Sequence, residues 1–231
     1  MIEVVPPERH QSRASALDQM FELRYRVFHE RLGWTPACAD RREYDEFDEL
    51  GPTYFLAWAS KNVLVGTWRI LPTTGPYMLR DVFPELLEGR PAPAHPRIWE
   101  CSRFAVDKGP LNWIDGRLVR EMTFRLMEAL AEFCLARDIG SMVTVYDRRV
   151  GRLLEFMNCK PQWTSRALSI NGVSTQAGLF SISTMHLSTV RSAIGLAPAI
   201  LPPQPAIAAR NWAQREPLPV GKPAMGMRLD A

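Results

Sequence analysis

Apolar positions along this chain follow two rhythms, and the switches between them mark its elements. Over residues 16–32, Leu17, Met20, Phe21, Val27 and Phe28 recur at steps near three and four, the buried stripe of one helix. Ser15, with Asp18 three residues on, is set to cap its start, and Gly33-Trp34-Thr35-Pro36 stops it. Residues 54–59 and 63–71 are β-rich runs on either side of Ser60-Lys61-Asn62 and read as a hairpin. Prolines 72, 76, 84, 91, 93 and 96 make residues 72–97 a loop, with a short helix over 78–87. A strand over 98–106 follows, then a long helix over 116–137 with Leu118, Met122, Leu126, Met127, Leu130 and Phe133 on its inner stripe. A strand (141–146), a helix (150–157) and a strand (163–170) come next. Asn171-Gly172 is a strong hairpin turn into a last strand over 173–187. This order predicts a mixed α/β sandwich, with helices on both sides of a central sheet that can splay between two central strands.

Charges break the pattern at a few places, and those places carry the chemistry. In Ile98-Trp99-Glu100-Cys101-Ser102-Arg103-Phe104-Ala105-Val106, alternation puts Ile98, Glu100, Ser102, Phe104 and Val106 on one face. A carboxylate there is either half of a structural ion pair or a catalytic group whose proton affinity is tuned by burial. Arg24 lies on the apolar stripe of the first helix, so it needs a buried carboxylate or an anionic ligand, unless it snorkels to water. Arg69 interrupts an apolar strand in the same way. Asp45 and Asp48, three apart in Asp45-Glu46-Phe47-Asp48-Glu49, both face inward if that loop makes one helical turn. A bare acidic run is otherwise a solvated loop. Together these ions suggest a network that holds a polar, zwitterionic small molecule.

Composition narrows the class without naming it. The 231 residues are 46% hydrophobic and 23% charged, and a net charge of +3 is too small to argue for nucleic acid. Cys38, Cys101, Cys134 and Cys159 are scattered, with no metal-ligand spacing, so free thiols in a reducing cytoplasm and no metal are expected. No apolar run approaches the ~20 residues of a membrane span, and residues 1–10 have no signal-peptide core. Residues 1–195 read as one domain. Residues 196–231, with prolines at 198, 202, 203, 205, 217, 219 and 223, read as its proline-rich C-terminal extension.

Arg24-x3-Phe28-x5-Trp34, Asp45-x2-Asp48, Arg69 and Glu100-x2-Arg103 within Trp-Glu-Cys-Ser-Arg-Phe resemble the acyl-homoserine-lactone synthase family of bacterial quorum sensing. All eight positions of that family's invariant set are filled in order, and the resemblance covers roughly residues 15–190. It implies an α-β-α sandwich of the N-acyltransferase (GNAT) type, with a central mixed, splayed sheet. It also implies the reaction: the α-amine of S-adenosylmethionine attacks an acyl thioester, the methionyl carboxylate displaces the sulfonium sulfur, and 5′-methylthioadenosine leaves. No tightly bound cofactor is implied. The whole chain with its long tail is similar to the isovaleryl-homoserine-lactone synthase branch, which takes acyl-coenzyme A; most of the family takes acyl carrier protein.

The resemblance distributes roles. Glu100 and Arg103 are the candidate catalytic residues, with Glu100 the base, acting directly or through one water. Backbone amides near Phe104 or Ala105 are candidates for stabilising the oxyanion. Arg24, Asp45, Asp48, Arg69, Ser102 and Arg103 order the site around S-adenosylmethionine. Phe28 and Trp34 wall the adenosine and sulfonium, or are plain core. Met78, Phe83, Phe104, Thr123, Met127, Thr144, Tyr146 and Phe180 line the acyl pocket. Thr144 matches a position linked to 3-oxo groups, or is an ordinary strand threonine. Arg148, Arg149 and Arg152, with Arg137 and Lys160, form a basic surface for an acidic carrier protein. The competing readings are an N-acyltransferase with another amine acceptor and a non-catalytic ligand-binding relative; retention of Glu100 weighs against the second.

Overall fold

The computed structural model describes residues 1–34, 36, 38–107, 116–157 and 159–194. Strand β1 (Ile2–Val5) leads to α1 (Ala14–Arg24), which continues as a π-helical stretch over Tyr25–Arg31. A small hairpin of β2 (Cys38–Ala39) and β3 (Arg42–Glu43) follows, then a 3-10 turn over Glu46–Asp48. Next come β4 (Thr53–Ser60), β5 (Val63–Pro72), α2 (Met78–Asp81), a 3-10 turn over Pro84–Leu87, and β6 (Ile98–Val106). The second half holds α3 (Gly116–Ala136), β7 (Ser141–Asp147), α4 (Arg148–Phe156), β8 (Pro161–Thr164), β9 (Leu168–Ile170), β10 (Val173–Ser181) and α5 (Thr184–Ile194). The main sheet runs β1-β4-β5-β6-β7-β10-β8, with β9 also on β10. Among its pairs only β6 with β7 is parallel, so the sheet is mixed. Helices α1 and α2 cover one face, and α3, α4 and α5 the other. This is the expected three-layer sandwich.

Apolar burial fixes each layer. Leu17, Met20, Leu23, Val27 and Phe28 pack on Tyr54, Leu56, Trp58, Leu64 and Ala105 beneath α1. On the far side Phe133 of α3 meets the Phe55 ring edge-on at 5.4 Å. Burying a side chain of this size is worth about 1.5–3 kcal/mol, which outweighs local propensity. The parallel pairing of β6 with β7 covers only Ile98–Cys101 against Ser141–Thr144. Beyond it β6 runs on to Val106 and β7 to Asp147 with no pairing between them. That is the splay.

Several boundaries differ from the sequence reading. Ser15 is not a cap: α1 starts at Ala14 after Arg13, and no side chain caps it. β1 was not anticipated, being four residues that gain their partner only from β4. The strand expected over 163–170 is cut in two at Ser165: its N–H still donates to Ala177 O, but Ala177 N–H donates to the Ser165 hydroxyl and the Ser165 carbonyl accepts from the Gln176 side chain instead. The last strand stops at Ser181, and residues expected to extend it form α5, where the Ser183 hydroxyl accepts from His186 N–H in the first turn. Asn171-Gly172 makes the expected turn, both residues at positive φ (50° and 76°), and joins β9 to β10. The C-terminal extension over 196–231 lies outside the described residues.

Candidate active site

The site is built where α1, the β2–β3 hairpin, the Glu46–Asp48 turn and strands β5 and β6 meet. Arg24 is fully buried and does not snorkel. Its Nη1 and Nη2 donate to Asp48 at 2.8 and 3.0 Å, and its Nε donates to Glu43. Arg69, equally buried, gives Nη1 to Asp45 at 2.5 Å and to Asp48 at 2.8 Å, and Nε to the Ser102 hydroxyl at 3.1 Å. Arg103 gives Nε to Glu43 at 2.9 Å and Nη2 to Asp45 at 2.7 Å. Three guanidinium groups thus face three carboxylates, and buried charge is tolerable only when paired in this way. Asp45 and Asp48 converge because the turn between them is a capping box: Asp48 accepts from Asp45 N–H, and Asp45 accepts from Phe47 N–H. Burial alone would raise the Asp48 carboxyl; Arg24 and Arg69 reverse that and hold it well below the usual 3.8. Tyr54 donates to the same carboxylate at 2.7 Å.

A bulge in β6 brings the last arginine in. Thr67 pairs with Ala105 and Arg69 with Ser102, so two residues of β6 oppose Trp68. Arg103 takes φ +56°, a left-handed conformation that costs an L-residue roughly 1–2 kcal/mol. The extra residue re-aims its side chain onto the α1 face, toward Glu43, Asp45 and Met78. It also reverses the expected alternation: Phe104 turns to the α3 face, edge-on to Trp68 at 4.9 Å, rather than sharing a face with Glu100. The Arg103 guanidinium sits 5.7 Å over the Phe28 ring, and Phe28 stacks on Trp34 at 5.3 Å. Both rings belong to the core cluster as well as bordering the ions.

Glu100 stands beside the network, 1% exposed. Its two oxygens accept from Leu79 N–H at 2.7 Å and Met78 N–H at 2.9 Å, the opening turn of α2. Burial pushes its carboxyl up to about 7; the two amides, Arg69 and Arg103 pull the other way and only partly offset it. A carboxylate that exchanges its proton near neutrality, at the mouth of a splayed sheet, can act as a general base. Met78 joins the two systems, its thioether 3.2 Å from Arg69 Nη2 and 3.1 Å from Arg103 Nη1. Among the described residues no group of three or more His, Cys, Asp or Glu is placed to hold a metal ion.

Residues 8–187 match the family model described as autoinducer synthase. This chain belongs to the autoinducer synthase family. Over 134 residues it is 46% identical to an acyl-homoserine-lactone synthase of Pseudomonas aeruginosa, covering 56% of this chain and 64% of that protein. One from Acinetobacter nosocomialis is 34% identical over 161 residues, 69% of this chain and 88% of the relative. The crystal structure of the AHL synthase LasI matches with a TM-score of 0.71 at 32% identity, covering 86% of this chain and 98% of that one. A CoA-dependent acyl-homoserine lactone synthase, BjaI, solved with SAM and isopentyl-CoA, matches at 0.74 and 29%, covering 86% and 90%. The enzyme is accordingly an acyltransferase that makes an acyl-homoserine-lactone signal for quorum sensing.

The expected acyl-pocket residues of this autoinducer synthase fall on two sides of its sheet. Met78 and Phe83 are on the α1 side, packed with Phe47 and Leu71. Phe104, Thr123, Met127, Thr144, Tyr146 and Phe180 are on the α3 side, with Tyr146 and Phe180 in ring contact at 5.9 Å. Thr144 is 9% exposed and its hydroxyl donates to its neighbour's carbonyl, Val145 O, at 3.4 Å. Thr123 lines a cleft of about 300 Å³ with Arg120, Phe124, Leu153 and Phe156. The unpaired stretch between β6 and β7 is where the two sides meet. The basic surface divides too. Arg148, Arg149 and Arg152 are exposed on α4, beyond the end of β7. Arg137 and Lys160 lie at the opposite end, Arg137 3.8 Å over Phe133 and Lys160 just before Pro161, whose partner Phe180 pairs with Met142 at the start of β7. No single patch of five forms.

Sequence reasoning missed Glu43 and Tyr54. Tyr54 reads as an ordinary strand aromatic. Glu43 sits in a polar stretch with no apolar rhythm to interrupt. A charge count would have found it: three inward arginines against Asp45 and Asp48 leave one guanidinium unmatched when Glu100 is reserved as base.

Proposed function

We propose that the enzyme acylates the α-amine of S-adenosylmethionine with an acyl thioester and then closes the lactone. Glu100, directly or through one water, takes a proton from the substrate ammonium so that its nitrogen lone pair can attack the thioester carbonyl. Collapse of the tetrahedral adduct breaks the carbon–sulfur bond and expels the thiol. The methionyl carboxylate then displaces the sulfonium sulfur at the γ-carbon, forming the ring ester and releasing 5′-methylthioadenosine. The carrying observation is the gradient of exposure in the ion network. Arg24, Arg69, Glu43 and Asp48 side chains are 0% exposed, whereas Arg103 and Asp45 keep 15% and 10%. That rim pair lies next to Glu100 and suits the two ends of an amino-acid zwitterion: ammonium on Asp45, carboxylate on Arg103. Trp34, only partly buried and backed by the Phe28 ring, offers a π face for the adenosine and sulfonium.

The acyl chain is assigned to the α3 side, reached through the splay between β6 and β7. Methionine and aromatic walls there adapt to more than one chain shape. The reading puts the enzyme in the cytoplasm, where four free thiols are stable. The test is a donor panel: purified protein with S-adenosylmethionine and matched acyl groups on coenzyme A or on acyl carrier protein. The expected products are methylthioadenosine and one lactone identified by mass spectrometry, and the productive arm names the donor. Thiol release with no methylthioadenosine in either arm would reassign the enzyme to another amine acceptor.

A further inference from the structure

Each nitrogen of Arg103 has a different partner. Nε takes Glu43 at 2.9 Å, Nη2 takes Asp45 at 2.7 Å and Nη1 takes the Met78 thioether at 3.1 Å. Glu43 is fully buried and belongs to β3, whose two-residue turn to β2 (Asp40 and Arg41, φ 49° and 59°) fixes where it can point. Its second oxygen holds Arg24, so it is the carboxylate shared between α1 and β6. Arg24 already has both Nη groups on Asp48. Neutralising Arg24 is therefore not all that Glu43 does.

We propose that Glu43 is a positioning residue: it anchors Arg103 through Nε so that Nη2 can exchange Asp45 for the carboxylate of the incoming amino-acid substrate. The inference rests on the zwitterion reading given above and extends it to a residue that touches no substrate. An Arg side chain held only at Nη2 would follow Asp45 and cover the very group the ammonium needs. Held at Nε by a buried carboxylate, with its backbone locked in the bulge, the guanidinium keeps its place while one hydrogen bond changes hands. Arg–carboxylate forks have the directional geometry that such an exchange requires.

The test is Glu43→Gln, which keeps the shape and loses the charge. KM for S-adenosylmethionine is expected to rise about tenfold or more, with kcat changed less than about threefold and KM for the acyl donor unmoved. Glu43→Asp, charged but one methylene shorter, should recover part of that loss. In an Arg103→Lys background, Glu43→Gln should add less than about twofold to KM, because the two act as one unit. Additive KM effects, or an equal loss in kcat with KM unchanged, would overturn the proposal. So would loss of cooperative thermal unfolding in both Glu43 variants, which would make Glu43 a structural ion. Unmodified enzyme that releases no methylthioadenosine fells the substrate reading and this inference with it. A normal unmodified enzyme with a flat Glu43→Gln KM fells this inference alone.

Discussion

On the α1 side of the central sheet, β5 sends Arg69 into a cage of carboxylates; one residue earlier, on the α3 side, it sends Trp68 edge-on to Phe104. The first side is held by complementary ions, each with a named partner and fixed geometry. The second is held by rings and methionines: Phe55 on Phe133, Tyr146 against Phe180, and Met127 and Met142 buried among them. The two chemistries fail differently. An ion removed from a closed network strands its partners at a cost of about 3–5 kcal/mol, whereas an apolar wall reshaped by a methyl or two gives locally. Under the proposed reading, such a division would keep amino-acid recognition rigid and leave the acyl side free to vary.

The sharpest way to break the comparison is Asp48→Ala. It strands Arg24 and Arg69 and removes the acceptor of Tyr54. The expected loss is about 3–5 kcal/mol in denaturant unfolding at pH 7, with activity gone. The sign follows from the depressed carboxyl: its stabilisation is present above the unfolded value of 3.8 and is lost as pH falls toward the lower folded value. The penalty for Asp48→Ala should therefore shrink on acidification. A loss under about 1 kcal/mol at pH 7 would show that the cage does not hold this face together.

Glu100→Gln comes next. Amide formation should drop about 10²–10⁴-fold while the fold is kept, since an amide can still accept from one α2 N–H. The pH profile gives the sharper readout. With the carboxyl raised from 4.5 to about 7, kcat/KM climbs as pH rises through about 7 and Glu100 ionises, and the variant lacks that climb. Stability runs the other way: a raised carboxyl favours the fold most below about 4.5 and loses that contribution as pH passes about 7. A variant with unchanged turnover would remove Glu100 from the chemistry.

The polar side was the more legible one. Arg24, Arg69 and Glu100 stood out because each breaks an apolar rhythm, and a charge in such a position needs a partner. Asp45 and Asp48 were readable as a pair only because a single turn aligns residues three apart. Glu43 had no rhythm to break. On the other side, Phe104 was assigned to the wrong face because strict alternation cannot foresee a bulge, and a one-residue insertion flips every residue after it. The break at Ser165 is likewise a choice between a ladder hydrogen bond and a hydroxyl, settled only by where β10 lies. Fold class was legible because element order and burial agree; the register of β6, which aims Arg103, was not.

On the apolar side a milder perturbation is informative. A Cβ at Gly178 would come within 2.8 Å of the Phe180 ring and 3.3 Å of Trp163 O. Gly178→Ala should cost about 1–3 kcal/mol as the ring shifts, with KM for S-adenosylmethionine unchanged. If Phe180 lines the acyl site, the chain-length preference moves as well. A product profile identical to that of the unmodified enzyme would take Phe180 out of the pocket.

The smallest effect is expected outside both faces, at the exposed arginines of α4. Arg149 is on the surface, and Asp147 caps the helix through the backbone N–H groups of Arg149 and Val150, not through the guanidinium. Arg149→Ala should therefore shift stability by no more than about 0.5 kcal/mol. Its kinetic effect depends on what carries the acyl group. An acidic carrier protein steered by this surface gives a higher KM for the donor that falls into line with the unmodified enzyme as salt is raised, because screening removes the steering from both. A donor KM that shifts equally at low and high salt would exclude steering by Arg149 and mark a short-range contact instead.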